Sequence, residues 1–249
     1  MATPVVGVPL AVVLLALTAV AALLVRAGGI GAAREVAVAA GRAAGQLAAV
    51  SLLIAAVLRS AGATAAFVAL MLVIAAVTAA GRIAGRRSAR AAGWSGLAIA
   101  AGVGPVLALV VLSGVVPARP VAVLPIAGIL IGGAMTATAL TGRRTLDELR
   151  TQHGEYEAAL ALGLVPRDAA LEVCRPVAAL ALVPALDQTR TVGLVTLPGA
   201  FVGVLLGGAS PVEAGATQLL VLVGLLAAEA VCVLATLELV ATGRLHEAE

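Results

Sequence analysis

Seven apolar runs dominate this chain, at about residues 5–25, 38–58, 61–81, 94–115, 121–141, 176–207 and 213–241. At ~1.5 Å of rise per residue, each is long enough as a helix to cross a hydrocarbon layer of roughly 30 Å. A water-soluble globule of this size has too little interior to bury so many helices that are apolar on every face. The expected fold is therefore all-α: a polytopic membrane protein of about seven transmembrane helices, with residues 1–249 as a single transmembrane domain. The run at 176–207 is longer than one span needs and is interrupted by Pro184, Asp187, Gln188, Arg190 and Leu197-Pro198-Gly199. Proline inside a helix removes a hydrogen bond and bends the chain. The sequence predicts a bent or broken membrane helix here, with a segment near one interface followed by a crossing from about Thr191.

Polar residues are scarce enough to be read one by one. All sixteen basic residues are Arg. A phosphate-binding loop of the G-x-x-x-x-G-K-[ST] type needs a Lys, so this chain is not expected to hydrolyse ATP itself. Neither a nucleophile–base pair nor clustered metal ligands appear, and the expectation is a protein that is not an enzyme and carries no cofactor. The net charge of +3 follows membrane topology rather than a nucleic-acid surface. When segments alternate across the bilayer, one side holds Arg26, Arg34, Arg82, Arg86, Arg87, Arg90, Arg143, Arg144, Arg150, Arg167, Arg175 and Arg244. The other side holds only Arg59 and Arg119, with Arg42 and Arg190 inside segments. Arginine collects on the cytoplasmic side of membrane proteins. The expected orientation is N-terminus outside and C-terminus inside, with Trp94 as an interfacial anchor. The expected location is the cell inner (cytoplasmic) membrane. No basic residue precedes the first run, so that run is expected to stay as a membrane helix rather than be cleaved as a leader. Cys174 and Cys232 lie in a charged and an apolar stretch respectively and are not expected to pair.

Between Arg143 and Arg175 lies a charged island of five Arg and six acids. It is too polar for lipid and too rich in helix formers for a flexible tether. Residues 142–175 read as a cytoplasmic helical loop that a soluble partner grips. Glu157 offers an ion pair; Ala158 and Ala159 admit a close surface. Gly163 permits a turn after a short helix, and Pro166, followed by Arg167, starts the next. The spacing Glu-Ala-Ala, three residues, Gly, then Val173 and Pro176 resembles the cytoplasmic-loop signature of importer-type ABC permeases, with Arg175 where that signature has Leu. A solvated amphipathic helix with chance alanines is the plain alternative.

A second constellation runs from Asp187 through Gln188, Arg190, Thr191, Gly193, Thr196, Pro198 and Gly199 to Gly203, Gly207, Gly208 and Gln218. Its Val-Gly-Leu-Val-Thr-Leu-Pro-Gly core, the following Gly-Gly-Ala-Ser-Pro and the Glu-Ala-Ala-Leu-Ala-Leu-Gly run before Pro166 resemble the membrane subunit of the iron-export ABC transporter family, which includes plant half-transporters of aluminium tolerance. The resemblance is close over roughly 143–220. It implies a permease working as a homodimer in the lipid bilayer, driven by a separate ATPase subunit that binds ATP and Mg. It also implies export of a metal ion, iron at the level of the family. Members assigned to metals often carry Met-Met-Thr-Gly-Gln after Leu-Pro-Gly. This chain has Ala200-Phe201-Val202-Gly203-Val204, which removes soft donors from that position.

Gly199, Gly203 and Gly207 make a small-residue stripe along one helix face. It reads as a gating or dimer-contact face, or as ordinary close packing. Glu229 sits deep in the last run; an intramembrane carboxyl either hydrogen-bonds a neighbouring helix or serves function. We expect 191–207 to line or gate the transport path, with Glu229 facing the same interior. A secondary transporter or small channel that uses Glu229 without ATP is the rival function.

Overall fold

The computed structural model describes residues 7–85 and 88–246. Arg86, Arg87 and the first residues of the chain, on which part of the topology argument drew, lie outside the described residues. The chain divides into two compact units, Met1–Arg59 and Ser60–Glu249. The first holds two helices packed on one another, α1 (Val8–Ala27) and α2 (Ala33–Val57).

The second unit carries α3 (Ala61–Ala84), α4 (Ala89–Leu112), α5 (Pro120–Thr151), α6 (His153–Ala161) and α7 (Pro166–Ala179). A 3₁₀ turn at Leu180–Leu182 joins α7 to α8 (Val183–Thr191), and α9 (Gly199–Leu206) and α10 (Pro211–Ala241) follow. Local chemistry sets the starts. The Ser60 and Ser88 hydroxyls accept from the amides of Ala63 and Ala91, and Ser210 with Glu213 forms a complete capping box. Proline opens α5, α7 and α10, where its missing N–H costs nothing. Seven helical spans among the described residues are long and apolar enough to cross a membrane. The protein is an all-α polytopic membrane protein.

The sixth span differs from the sequence expectation. It is Pro166–Thr191, not a crossing that begins at Thr191. Pro176 is absorbed within α7, and the 3₁₀ turn relieves the backbone just before Pro184. What ends the helix is Gly193 at φ +81, whose amide donates to the Thr196 carbonyl at 2.8 Å. Pro198 then caps α9, which at eight residues measures about 12 Å and is too short to cross. The last third of the charged island therefore belongs to the start of the sixth span, and its first third is the end of α5. That helix has 32 residues, about 48 Å, and runs unbroken from apolar sequence into charged sequence.

Two ends of this unit are distinct. At one, Ala80, Ile83, Ala91, Leu239, Val240 and Leu245 form a buried cluster against which Trp94, Leu146 and Leu149 pack. This joins the end of α3, the start of α4 and the ends of α5 and α10. Trp94 is more than an anchor: the Arg244 guanidinium lies 4.9 Å over its ring. The opposite end carries Arg119, Arg190 and the 192–210 stretch, so Arg190 joins the sparse side of the arginine count.

The core of the unit is where α4, α5 and α10 meet. Without a hydrophobic driving force between helices in lipid, contact depends on small residues that let backbones approach. A Cβ on Gly102 would fall 2.4 Å from the Ala228 carbonyl oxygen, and one on Gly142 2.6 Å from Ile83. These glycines fix the helix spacing.

Candidate functional site

At the charged end, α6 carries the Glu-Ala-Ala motif on a nine-residue helix. Glu157 and Ala158 are exposed and Ala159 is half-buried. The His153 ring stands 3.3 Å from a Glu157 carboxylate oxygen and is stacked on Tyr156. Gly163 has φ +95 and nothing near its missing side chain. It reverses the chain after α6 in the left-handed region that only glycine adopts freely. Leu162 is 83% exposed and Val165 57%, so the turn presents an apolar tip beside the acid. Leu149, His153, Tyr156, Pro166 and Ala170 line a hollow of about 620 Å³ between α6 and the body beneath it.

Arg167 is half-exposed, and its guanidinium is engaged within the chain. Its guanidinium forks onto Glu238 at 2.5 and 2.8 Å and also donates to Asp168 at 2.8 Å. It ties the start of α7 to the end of α10. Its partner there is Glu238. The nearby charges Glu172 and Arg175 project from the outer face of α7, whose inner face buries Leu171, Cys174 and Ala178. The Cys174 thiol donates to the Thr145 carbonyl at 3.5 Å.

At the opposite end, three expected path residues come together. Gly193, Pro198 and Gln218 line one cavity of about 300 Å³ with Phe201 and Leu222. The Gln218 side chain is 5% exposed and its carbonyl oxygen has no hydrogen-bond partner. Gly199 and Gly203 line a second cavity, of about 590 Å³, between α9 and the Pro125–Ile129 face of α5. A Cβ at either glycine meets nothing within 4 Å. The stripe is thus not close packing within the chain; Gly207 touches only its own turn of helix. Asp187 and Arg190 pair across one turn at 3.5 Å, and with Gln188 they occupy the exposed face of α8. The Thr191 hydroxyl returns to the Asp187 carbonyl, and the Thr196 carbonyl closes the turn.

Glu229 is not part of this group. It lies eleven residues beyond Gln218, roughly 16 Å along α10, and lines neither cavity beside 192–206. Its side chain is 6% exposed and turns instead toward α5, where a carboxylate oxygen occupies the space of a Gly133 side chain. The following turn brings Cys232, whose thiol donates to the Ala98 carbonyl of α4 at 3.4 Å. Sequence reasoning missed Gly102, Gly133 and Thr138, because nothing in their local pattern separates them from other small residues in the chain. Among the described residues, no group of three or more His, Cys, Asp or Glu is placed to hold a metal.

The chain is 44% identical over 128 residues to Protein ALUMINUM SENSITIVE 3 of Arabidopsis thaliana, covering 51% of this chain and 47% of that one. It is 41% identical over 135 residues to UPF0014 membrane protein STAR2 of Oryza sativa subsp. japonica, covering 54% and 47%. It is 36% identical over 125 residues to a protein of Escherichia coli (strain K12) named "Probable iron export permease protein FetB", covering 50% and 48%. The matched stretch spans about half the length of each of these relatives. No solved structure matches at a significant level. The profile of UPF0014, described as an uncharacterised protein family, matches residues 9–243, and the chain belongs to that family.

Proposed function

We propose that this UPF0014 protein is the permease subunit of an ATP-driven exporter of a metal ion, energised by a separate ATPase that grips the α6 turn. One observation carries the reading. The helix that reaches from the buried core to the charged end, α5, does so without a break and hands directly to α6, which offers an exposed acid, two alanines and an apolar tip. A force applied at α6 is therefore delivered by a rigid rod to the α4–α5–α10 contact. The Arg167–Glu238 fork holds α7 and α10 to the same platform, so the charged end moves as a block. The name of the E. coli relative supports export and iron; the orientation follows from the arginine count, with α6 cytoplasmic and the 192–206 stretch outside. The permease works as a homodimer on this reading.

Co-purification with a candidate ATPase subunit from the same genome tests the docking. Glu157→Arg and Gly163→Leu should each abolish binding and ATPase stimulation; unchanged values in both would overturn the assignment. Maleimide labelling of Gln152→Cys and Leu194→Cys tests orientation without interference from the native thiols, since Cys174 and Cys232 are both buried. Residue 152 should react only from the cytoplasm and residue 194 only from outside.

The unpartnered carboxyl of Glu229 favours one other reading, a secondary transporter that works without ATP. Flux that persists in vesicles lacking both ATPase and nucleotide would select it.

A further inference from the structure

We propose that the cleft between α3, α4 and α5 is a lipid site, which holds one acyl chain of an anionic phospholipid from the surrounding bilayer with its phosphate on Arg119. The inference needs only the membrane fold and not the transport reading above.

The cleft has a volume of about 450 Å³, and its walls run from Ala61 to Leu72 on α3, from Val111 back to Ala100 on α4 and from Pro120 to Ile131 on α5. Each stretch is about 16 Å of helix. Half of a hydrocarbon core of roughly 30 Å is about 15 Å, so the cleft is as deep as one leaflet. All three stretches begin at the end opposite the charged one. The cleft therefore opens at that face of the bilayer and stops near its midplane. Small side chains explain why it exists. Ala61, Ala65 and Ala69 stand one turn apart on α3, and Gly104 lines the same space from α4. A Cβ on Gly104 would meet nothing within 4 Å. Val103 and Ile131, 5% and 3% exposed, close the floor.

Charge selects the occupant. Arg119 lines the mouth of the cleft with Ala118 and Pro120. It is exposed and forms the N-cap of α5, where the helix dipole adds to its positive potential. Among the described residues no carboxylate pairs with it. The acids at this end of the unit are committed elsewhere: Asp187 to Arg190, and Glu213 to its own capping box with Ser210. Arginine is also scarce on this side of the protein, against the usual distribution of positive charge. A hydrocarbon tail by itself gains little here, because the bilayer is as apolar as the cleft. The guanidinium makes the difference: it takes two phosphate oxygens at once, and basic residues between membrane helices bind anionic head groups. An amphiphile with a phosphate head and a leaflet-long chain satisfies both ends of the cleft. A second copy of this chain would have to bring an apolar ridge and an acid together.

The test is a titration of delipidated full-length protein in detergent with phosphatidylglycerol, read by native mass spectrometry and by thermal unfolding. Phosphatidylcholine with the same chains, and glycerol phosphate as a head without chains, are the comparisons. One phosphatidylglycerol per chain should be retained about fivefold more tightly than phosphatidylcholine, the scale of one arginine acting on an anionic lipid. It should also raise the unfolding midpoint by a few degrees. Arg119→Gln should abolish the preference and Arg119→Lys should keep most of it. Arg190→Gln, at the same end but outside the cleft, should leave it intact. Gly104→Leu should fold, occupy the space of the chain and cut phosphatidylglycerol binding several-fold. If that variant does not fold, Ala65→Leu on the facing wall decides. Equal retention of the two lipids, a preference that survives Arg119→Gln, or glycerol phosphate bound as tightly as the lipid would overturn the proposal. So would a lipid-free dimer lost on Gly104→Leu, which would give the cleft to a second copy.

Discussion

Glycine does opposite work in two parts of this protein. In the α4–α5–α10 seam, a Cβ at Gly102 or Gly133 would collide at 2.4 Å with a neighbouring helix. In α9, a Cβ at Gly199 or Gly203 would meet nothing within 4 Å, because that face looks across a cavity of about 590 Å³ toward α5. The first region is a rigid joint, with its spacing set by absent side chains. The second has room to move. The permease function proposed above would use both: a joint that transmits displacement, and a closing element with space to close into.

The comparison breaks most easily at the joint. Gly102→Leu should leave no stably folded protein, because the atom in its way is backbone and cannot swing aside. Gly102→Ala should lower stability by about 1–3 kcal/mol, the usual cost of overpacking. Monodisperse yield and thermal unfolding in detergent measure both; a wild-type melting curve for Gly102→Leu would mean the joint is loose. Gly133→Ala should be milder, since the groups it meets are the side chains of Leu225 and Glu229.

The mobile side comes next. Gly203→Leu should fold and insert as the wild type does, since the cavity accepts the side chain, yet it should reduce transport several-fold by filling the space into which α9 closes. Equal flux in variant and wild type would show that α9 is only surface. Pairing this variant with Gly102→Ala sharpens the contrast: one should lose flux at constant stability, the other stability first.

The smallest effect is expected at the platform. Arg167→Ala and Glu238→Ala each break a half-exposed fork, where solvent screens the pair. Each should shift unfolding only slightly, and the double variant should be no worse than either single one. Coupling to the ATPase should suffer more than stability does, because α7 and α10 are no longer tied at the charged end. A strictly additive double variant would deny the coupling.

The spans were legible because hydrophobic length is a property of a segment alone. So was the motif on α6, whose acid, alanines, glycine and proline define a short helix and its reversal by local backbone chemistry. The sixth span was misplaced for the opposite reason. Pro184 and the Asp187–Arg190 stretch read as interruptions in one dimension, whereas a single 3₁₀ turn accommodates the proline and the pair sits at the far, exposed end. The helix actually stops at Gly193, which the sequence presents as one glycine among 28. The Arg167–Glu238 fork was not legible in the sequence, because the two partners lie 71 positions apart.

The sequence by itself determined that this chain crosses a membrane as helices and which end gathers the charge. Those follow from composition and length. Only the tertiary structure decided which small residues are joints and that Glu229 faces Gly133 rather than the 192–206 turn. In a chain so rich in alanine, glycine and valine, helix faces are nearly alike in sequence. What separates them is the neighbour that each comes to face, and the rotation and register of packed helices set that.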